Sequence, residues 1–130
     1  MNRLRYWNER AETMSRDELS AVQLKGLQWT VKHVWANNEF YRGKLTAAGI
    51  EPGDIRSLDD LAQLPFLSKD DFRDQYPLGM LCMPRPSIRE MHMSSGSTGV
   101  PVVMAYTEAD LMQWAECMAR CQIMAGLQPG

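Results

Sequence analysis

The chain has 130 residues, 45% of them apolar and 23% charged, which is enough for one globular domain and too little for two large ones. Lys and Arg number 14 against 16 Asp and Glu, so the net charge of -2 provides no basic field for nucleic acid or for an anionic membrane. The three cysteines form no CxxC pair, and the sequence starts without the apolar core of a signal peptide. We therefore expect a cytoplasmic protein without a nucleic-acid partner, a membrane partner or a zinc site.

The first 79 residues carry the pattern of a helical region. Ser15 and Glu18 form a capping-box pair, and the apolar residues that follow recur at helical spacing. This pattern predicts a long helix over residues 16–36. A second helix is predicted over residues 38–48, where Gly49 supplies the left-handed residue that ends it.

Two shorter helices are predicted after a turn at residues 51–54. Each begins with a serine that is followed three residues later by an aspartate, and these pairs are Ser57 with Asp60 and Ser68 with Asp71. Pro65 and Pro77 end them, because the residue before a proline disfavours the helical conformation. The acidic residues between positions 54 and 74 are therefore interpreted as caps and first-turn residues, and not as a metal site.

After residue 80 the pattern changes to a strand, a loop, a second strand and a final helix. Extended segments are predicted over residues 87–93 and 102–106, and the second is apolar enough for a buried strand. Thr107 begins the final helix, which is predicted to end at Gly126. A last turn at Pro129-Gly130 is expected to lead into a further segment.

Cysteines and tryptophans on the predicted helices are interpreted as packing residues. Cys117 and Cys121 lie one helical turn apart, so we expect small core or near-core residues rather than metal ligands. We expect three tryptophans to lie in the core or in an interface rather than in a substrate pocket, namely Trp29, Trp35 and Trp114.

The segment Ser94-Ser95-Gly96-Ser97-Thr98-Gly99 lies between the two predicted strands. Its glycines let backbone N–H groups turn towards one point, and its four hydroxyls add donors, which predicts a cradle for an anion such as a phosphate chain. It is not a Walker A motif because Val100-Pro101 follow, and it lacks the three-glycine spacing of a dinucleotide fingerprint. From the residues alone, a flexible hairpin loop without a ligand remains an open alternative.

Residues 92–101 resemble the phosphate-loop signature of adenylate-forming enzymes, in which a loop rich in Ser, Thr and Gly is followed by Lys-Pro. Other segments narrow this resemblance to the amino-terminal region of phenylacetate-CoA ligases. These segments are Tyr6-Trp7-Asn8, residues 27–34, Asn38-Glu39-Phe40-Tyr41-Arg42, Ser57-Leu58-Asp59-Asp60-Leu61, Leu64-Pro65-Phe66 and Lys69-Asp70-Asp71-Phe72-Arg73. Together they span nearly all of the chain.

The resemblance implies an α/β family fold, of which residues 1–130 are the amino-terminal part of an AMP-binding domain. Within it, residues 1–79 form a helical region, and residues 80–130 form the strand, phosphate loop, strand and helix. The implied enzyme uses ATP and Mg²⁺ to turn an aryl carboxylate into an acyl adenylate, and CoA then gives a thioester, as in phenylacetate catabolism. The residues that match the family's phosphate loop are Ser94, Ser95, Gly96, Ser97, Thr98 and Gly99; no catalytic or metal-binding residue is implied for this segment.

The sequence departs from the family pattern at one position and lacks the later motifs. Val100 stands where the family usually has Lys, which removes a cation near the phosphates. His92 precedes the loop, as in the family, and is interpreted as packing beneath it rather than as catalytic. The segments that bind adenine, ribose and Mg²⁺ follow later in these longer enzymes, so we expect the 130-residue chain alone to be inactive.

Two further hypotheses remain open from the sequence. The chain could be a degenerate, non-catalytic binding or interaction module derived from such a ligase, or a helical scaffold whose loop has no ligand. Two strands alone are marginally stable and have open edges, so we also expect a homo-oligomer or a strand-exchanged dimer.

Overall fold

A computed structural model describes residues 4–95 and 99–128 of the chain. The elements are α1 (Glu9–Glu12), α2 (Arg16–Asn37), α3 (Glu39–Ala47), a 3₁₀ helix (Leu58–Gln63), α4 (Lys69–Asp74), a 3₁₀ turn (Arg85–Ser87), β1 (Ile88–Met93), β2 (Val103–Thr107) and α5 (Glu108–Met124). The predicted mainly helical segment with a strand–loop–strand is confirmed. The expected turn at Pro129-Gly130 lies outside the described residues.

Capping determines where the predicted helices begin. The capping boxes of α2, α4 and α5 each pair a side-chain hydroxyl with a backbone N–H three residues on, as predicted. The stops at Gly49 and Gly126 are also confirmed, with φ angles of 70° and 95°. The helix after Ser57 is 3₁₀ rather than α, a tighter winding that is found in short helices. The short helix α1 was not predicted.

The core lies in the helical region and joins α2 and α3 to the loop that follows them. Its buried members are Val31, Leu45, Ile50 and Ile55, and Leu24, Leu27, Val34, Trp35 and Leu64 pack against it. Val22, on the predicted apolar face of α2, is 55% exposed. The apolar face of α2 is therefore more buried along the second half of the helix than along the first half.

Asn38 is a buried polar residue at the corner between α2 and α3. Its Oδ1 accepts a hydrogen bond from the Tyr41 N–H, which caps α3. Its Nδ2 donates to the carbonyls of Gly79 and Leu81, at 2.8 and 3.1 Å. One side chain thus joins the helical corner to the segment that leads into β1.

The strands β1 and β2 form a two-stranded antiparallel sheet, in which Met93 opposes Val103 and His92 opposes Met104. A register irregularity lies between Ile88 and Glu90. The prediction of a buried second strand is wrong, because β2 has one partner strand among the described residues and its own residues are half-buried or exposed.

The helix α5 packs against β2 and exposes much of its apolar surface. The expectation of core positions for Cys117 and Cys121 is wrong, since both are exposed. Trp114 is half exposed, and Trp29 on α2 is more exposed still and stacks on His33. None of the helices in the described part of the chain is long and apolar enough to cross a lipid bilayer.

Candidate functional site

The β1–β2 hairpin carries the predicted phosphate loop at its turn. Ser94 and Ser95 follow directly on β1, and Gly99 lies on the return towards β2. Gly96, Ser97 and Thr98, which complete the predicted site, lie outside the described residues. The structure therefore shows the two ends of the predicted site and the strands that hold them.

Two hydrogen bonds close the base of the loop. The Ser94 N–H donates to the Val102 carbonyl at 3.0 Å, and the Val102 N–H donates to Ser94 Oγ at 2.9 Å. These bonds extend the sheet beyond the last paired residues, Met93 and Val103. They hold the ends of the seven-residue segment 95–101 next to each other.

Gly99 adopts a backbone conformation that favours glycine. Its φ is 128°, which side chains other than hydrogen rarely tolerate, although the space around it is open. The predicted role of this glycine in turning the backbone is consistent with this angle. The following Val100 is 47% exposed, so the position at which the resemblance implies Lys is open to solvent.

His92 lies two residues before the loop and is surrounded by aromatic rings. Its ring centroid is 4.9 Å from that of Tyr106 and 5.5 Å from that of Trp114. Its Nε2 is 3.1 Å from the Glu90 Oε2 on the same strand face. These contacts fit the interpretation of His92 as a residue that packs beneath the loop between the sheet and α5.

A strand and not a helix follows the loop, as the sequence predicts. The helix α5 begins only after β2, about 16 Å further along at the usual rise of a strand. The partial positive charge of its N-terminus is therefore distant from the loop. Donors for an anion would come from the loop's own N–H groups and hydroxyls.

Metal ligands are not grouped in the described part of the chain. No cluster of three or more His, Cys, Asp or Glu side chains that could hold a metal ion occurs among residues 4–95 and 99–128. Asp60 and Asp71 serve as caps instead. Hydrogen bonds from backbone N–H groups lower the pKa of Asp60. The pKa of Asp71 is lowered most by the hydrogen bond from Lys44, whose Nζ is 2.8 Å from Oδ2, and then by the bond from the Ser68 N–H.

An open cavity of about 410 Å³ separates the hairpin from the segment at residues 72–83. Its lining is mostly apolar and includes Tyr41, Cys82 and Tyr106. Burial raises the pKa of the Tyr41 phenol and of the Cys82 thiol. Both groups are therefore neutral at pH 7, and the cavity offers no charged donor to a phosphate.

Hydrogen bonds between the amino-terminal residues and α5 were not predicted from the sequence. Glu116 accepts hydrogen bonds from Trp7 Nε1, Asn8 Nδ2 and Arg120 at 2.7 to 2.8 Å. These bonds, with that from Arg120 the strongest, lower the pKa of Glu116 to about 2. The spacing of Glu116 and Arg120 on one helix could have indicated their pairing, but nothing in the sequence indicates the contacts over more than 100 residues.

Curated relatives match nearly the whole chain. No protein-family model matches the sequence. A phenylacetate-coenzyme A ligase from Aromatoleum evansii is 44% identical over 122 residues, and the match covers 94% of this chain and 28% of the relative. The same enzyme from Escherichia coli is 44% identical over 118 residues, and that from Thermus thermophilus is 43% identical over 119. The chain thus spans between a quarter and a third of the length of these relatives.

Solved structures share the fold. A 2-hydroxyisobutyryl-CoA ligase in complex with 2-HIB-AMP and CoA, in its thioesterification state, matches 98% of this chain with a TM-score of 0.88 and 34% identity. An open conformation of that ligase with the same ligands matches with a TM-score of 0.87. The chain covers 28% and 30% of these two structures.

Proposed function

Because the chain is a segment of the phenylacetate-CoA ligase family, we propose that it forms the amino-terminal part of an ATP-dependent aryl-acid CoA ligase. In the complete enzyme an aryl carboxylate attacks the α-phosphate of ATP, which gives an acyl adenylate and pyrophosphate. The thiol of CoA then displaces AMP and forms the thioester. The observation that carries the proposal is the 44% identity over 94% of the chain.

The loop at residues 94–99 would bind the β- and γ-phosphates of ATP and the departing pyrophosphate. Negative charge grows on the leaving pyrophosphate in the transition state, and fixed donors stabilise charge most where it develops. The bonds between Ser94 and Val102 support this role because they hold the loop's ends in place before a ligand arrives. We assign the proposed contacts to the backbone N–H groups around Gly96 to Gly99 and to the hydroxyls of Ser95, Ser97 and Thr98, and Ser94 begins the loop.

The proposed division of the chain follows its two halves. Residues 1–79 would be a helical region of the AMP-binding domain, and residues 80–130 would carry the phosphate loop with its strands and helix. The proposed enzyme uses Mg²⁺ with ATP, yet the described residues group no ligands for it, so no step is assigned to a metal held by this segment. The 130-residue chain alone should complete neither half-reaction.

The location and assembly of the protein are also proposals. We place the complete enzyme in the cytoplasm, where ATP and CoA are available. The two-stranded sheet has unpaired edges, and Met91 and Met93 on β1 are exposed, so the isolated chain should associate or exchange strands. Light scattering over a range of concentrations tests this, and a monomer at every concentration would contradict it.

One observation favours a second candidate function. Val100 removes the cation that the family usually places beside the phosphates, and a charge-assisted hydrogen bond is worth roughly 1.5–3 kcal/mol. A non-catalytic binding or interaction module derived from a ligase would tolerate this loss. Such a module would bind ATP weakly and would exchange no pyrophosphate.

An ATP–pyrophosphate exchange assay on the full-length protein separates the two candidates. We expect exchange with at least one member of a panel of aryl carboxylates that includes phenylacetate. An absence of exchange with every acid would overturn the ligase proposal. The panel also identifies the preferred acid, whose pocket lies mostly outside this segment in the family.

The role of the loop is tested with two glycine variants of that protein. Gly99→Ala places a side chain at a φ of 128°, so we expect the KM for ATP to rise about tenfold. Gly53→Ala is the matched control, because Gly53 has open space and lies in a distant turn. Equal KM values for the two variants would show that the loop does not bind ATP.

A further inference from the structure

The side chain of Ser94 ends the β1–β2 ladder. In an antiparallel sheet, the two residues of a hydrogen-bonded pair each donate their N–H to the carbonyl of the other. Ser94 and Val102 occupy the next opposing positions after Met93 and Val103, and the Ser94 N–H donates to the Val102 carbonyl as expected. The Val102 N–H, however, donates to Ser94 Oγ at 2.9 Å. The hydroxyl therefore occupies the acceptor position that the Ser94 carbonyl has in a continuing ladder.

We propose that Ser94 is a positioning residue that fixes where the phosphate loop leaves the sheet. This rests on the proposed function, in which residues 94–99 bind the phosphates of ATP. Because its hydroxyl accepts the bond from Val102, the Ser94 backbone turns out of the ladder at this residue and the segment 95–101 begins at a defined point. Serine and threonine side chains commonly divert backbone hydrogen bonds in this way.

The chemistry of the bond restricts which residues can replace Ser94. Alanine has no side-chain acceptor, so the Val102 N–H loses its partner. Only the bond from the N–H of residue 94 to the Val102 carbonyl then joins the two ends of the loop. Threonine keeps the hydroxyl and is favoured in extended backbone. Since Ser94 is exposed and distant from the buried core at Val31 and Leu45, neither change should unfold the protein.

Hydrogen exchange read by mass spectrometry on the full-length protein tests the bond without any need for activity. In Ser94→Ala we expect the Val102 amide to exchange about fivefold faster, as the loss of one neutral hydrogen bond predicts. Ser94→Thr should exchange as the wild type does. Ser20→Ala, the same change on α2, is the matched control. An unchanged Val102 amide in Ser94→Ala would overturn the proposal.

Steady-state kinetics of ATP–pyrophosphate exchange then test the positioning role. We expect Ser94→Ala to lower kcat/KM for ATP about fivefold, because a displaced loop holds both the bound phosphates and the departing pyrophosphate less well. Ser94→Thr should restore the wild-type kcat/KM. An unchanged kcat/KM in Ser94→Ala would overturn the role. If the wild type shows no exchange with any acid, the ligase proposal fails, while hydrogen exchange still decides whether Ser94 ends the ladder.

Discussion

The helical region and the hairpin region of this protein are stabilised in different ways. Residues 4–79 contain the four-residue buried core, and most of their helices begin at a capping side chain. In the described part of residues 80–128, Ile123 is the one buried apolar residue, while Met91, Met93, Met112 and other large apolar residues are exposed. The region that carries the candidate site therefore has the least core of its own.

This difference indicates where the candidate site obtains its rigidity. The hairpin is fixed locally by the Ser94–Val102 bonds and by the rings around His92, and it is joined to the helical core through Asn38. A two-stranded sheet is marginal without further packing. In the proposed enzyme, residues outside this 130-residue segment would cover the exposed apolar surface of the hairpin region.

The largest expected effect distinguishes the cores of the two regions. Leu45→Ala removes a buried side chain and should lower the free energy of unfolding by about 3 kcal/mol. Met112→Ala, the control on α5, removes a side chain that is 66% exposed and should cost less than about 0.5 kcal/mol. Urea denaturation measures both. Similar losses for the two variants would contradict the assignment of the core to the helical region.

The next largest effect concerns the link between the regions. Asn38→Ala removes an N-cap and the donor to two carbonyls, so we expect a loss of about 2 kcal/mol in the free energy of unfolding. Asn37→Ala is the matched control, because the neighbouring Asn37 is exposed and bonds within α2. If both variants are equally stable in urea, Asn38 does not join the two regions.

A smaller effect than that of Asn38→Ala is expected from a substitution that adds a positive charge beside the loop. Val100→Lys in the full-length enzyme restores a cation beside the phosphates and should lower the KM for ATP about tenfold, near the lower limit for a charge-assisted hydrogen bond. Val22→Lys introduces the same charge at an exposed position of α2 and should leave the KM unchanged. A KM that does not respond to Val100→Lys would place position 100 away from the bound phosphates.

The smallest expected effect is the pH dependence that Glu116 contributes. Its folded pKa of about 2 is below the ordinary value of 4.5, so the stabilisation is present above pH 4.5 and is lost as the pH falls towards 2. Glu116→Gln should therefore flatten the decline in stability over this range, as measured by urea denaturation at several pH values. Glu108 forms an exposed ion pair with Arg89, so Glu108→Gln should lose stability with falling pH as the wild type does.

Local chemistry made much of the fold predictable. Helix starts at Ser15, Ser68 and Thr107 follow from side chains that bond to the backbone three residues away, and these bonds do not depend on distant contacts. Both strands were located within about one residue for a similar reason, since alternation and turn residues are local signals. The family resemblance predicted a phosphate loop at residues 94–99, and this role stays a prediction.

Burial was less predictable, because it depends on what packs from elsewhere. Cys117 and Cys121 have the spacing of a packed helix face, yet no described part of the chain covers them. The roles of Asn38 and Glu116 depend on contacts with residues 41 or more positions away, which periodicity does not reveal. The phosphate loop formed by Ser94, Ser95, Gly96, Ser97, Thr98 and Gly99 remains a prediction.

The two ends of the described chain are held together, and this affects the order of folding. The Leu4 N–H donates to Gln128 Oε1, a contact between residues 124 positions apart. Closing a longer loop costs more chain entropy, and contacts distant in sequence form late. We expect the α2–α3 corner to fold first. The amino-terminal residues, which include Trp7 and Asn8, should pack onto α5 last. In a variant that keeps Trp7 as its one tryptophan, with Phe in place of Trp29, Trp35 and Trp114, the recovery of fluorescence should then lag behind the recovery of helical circular dichroism.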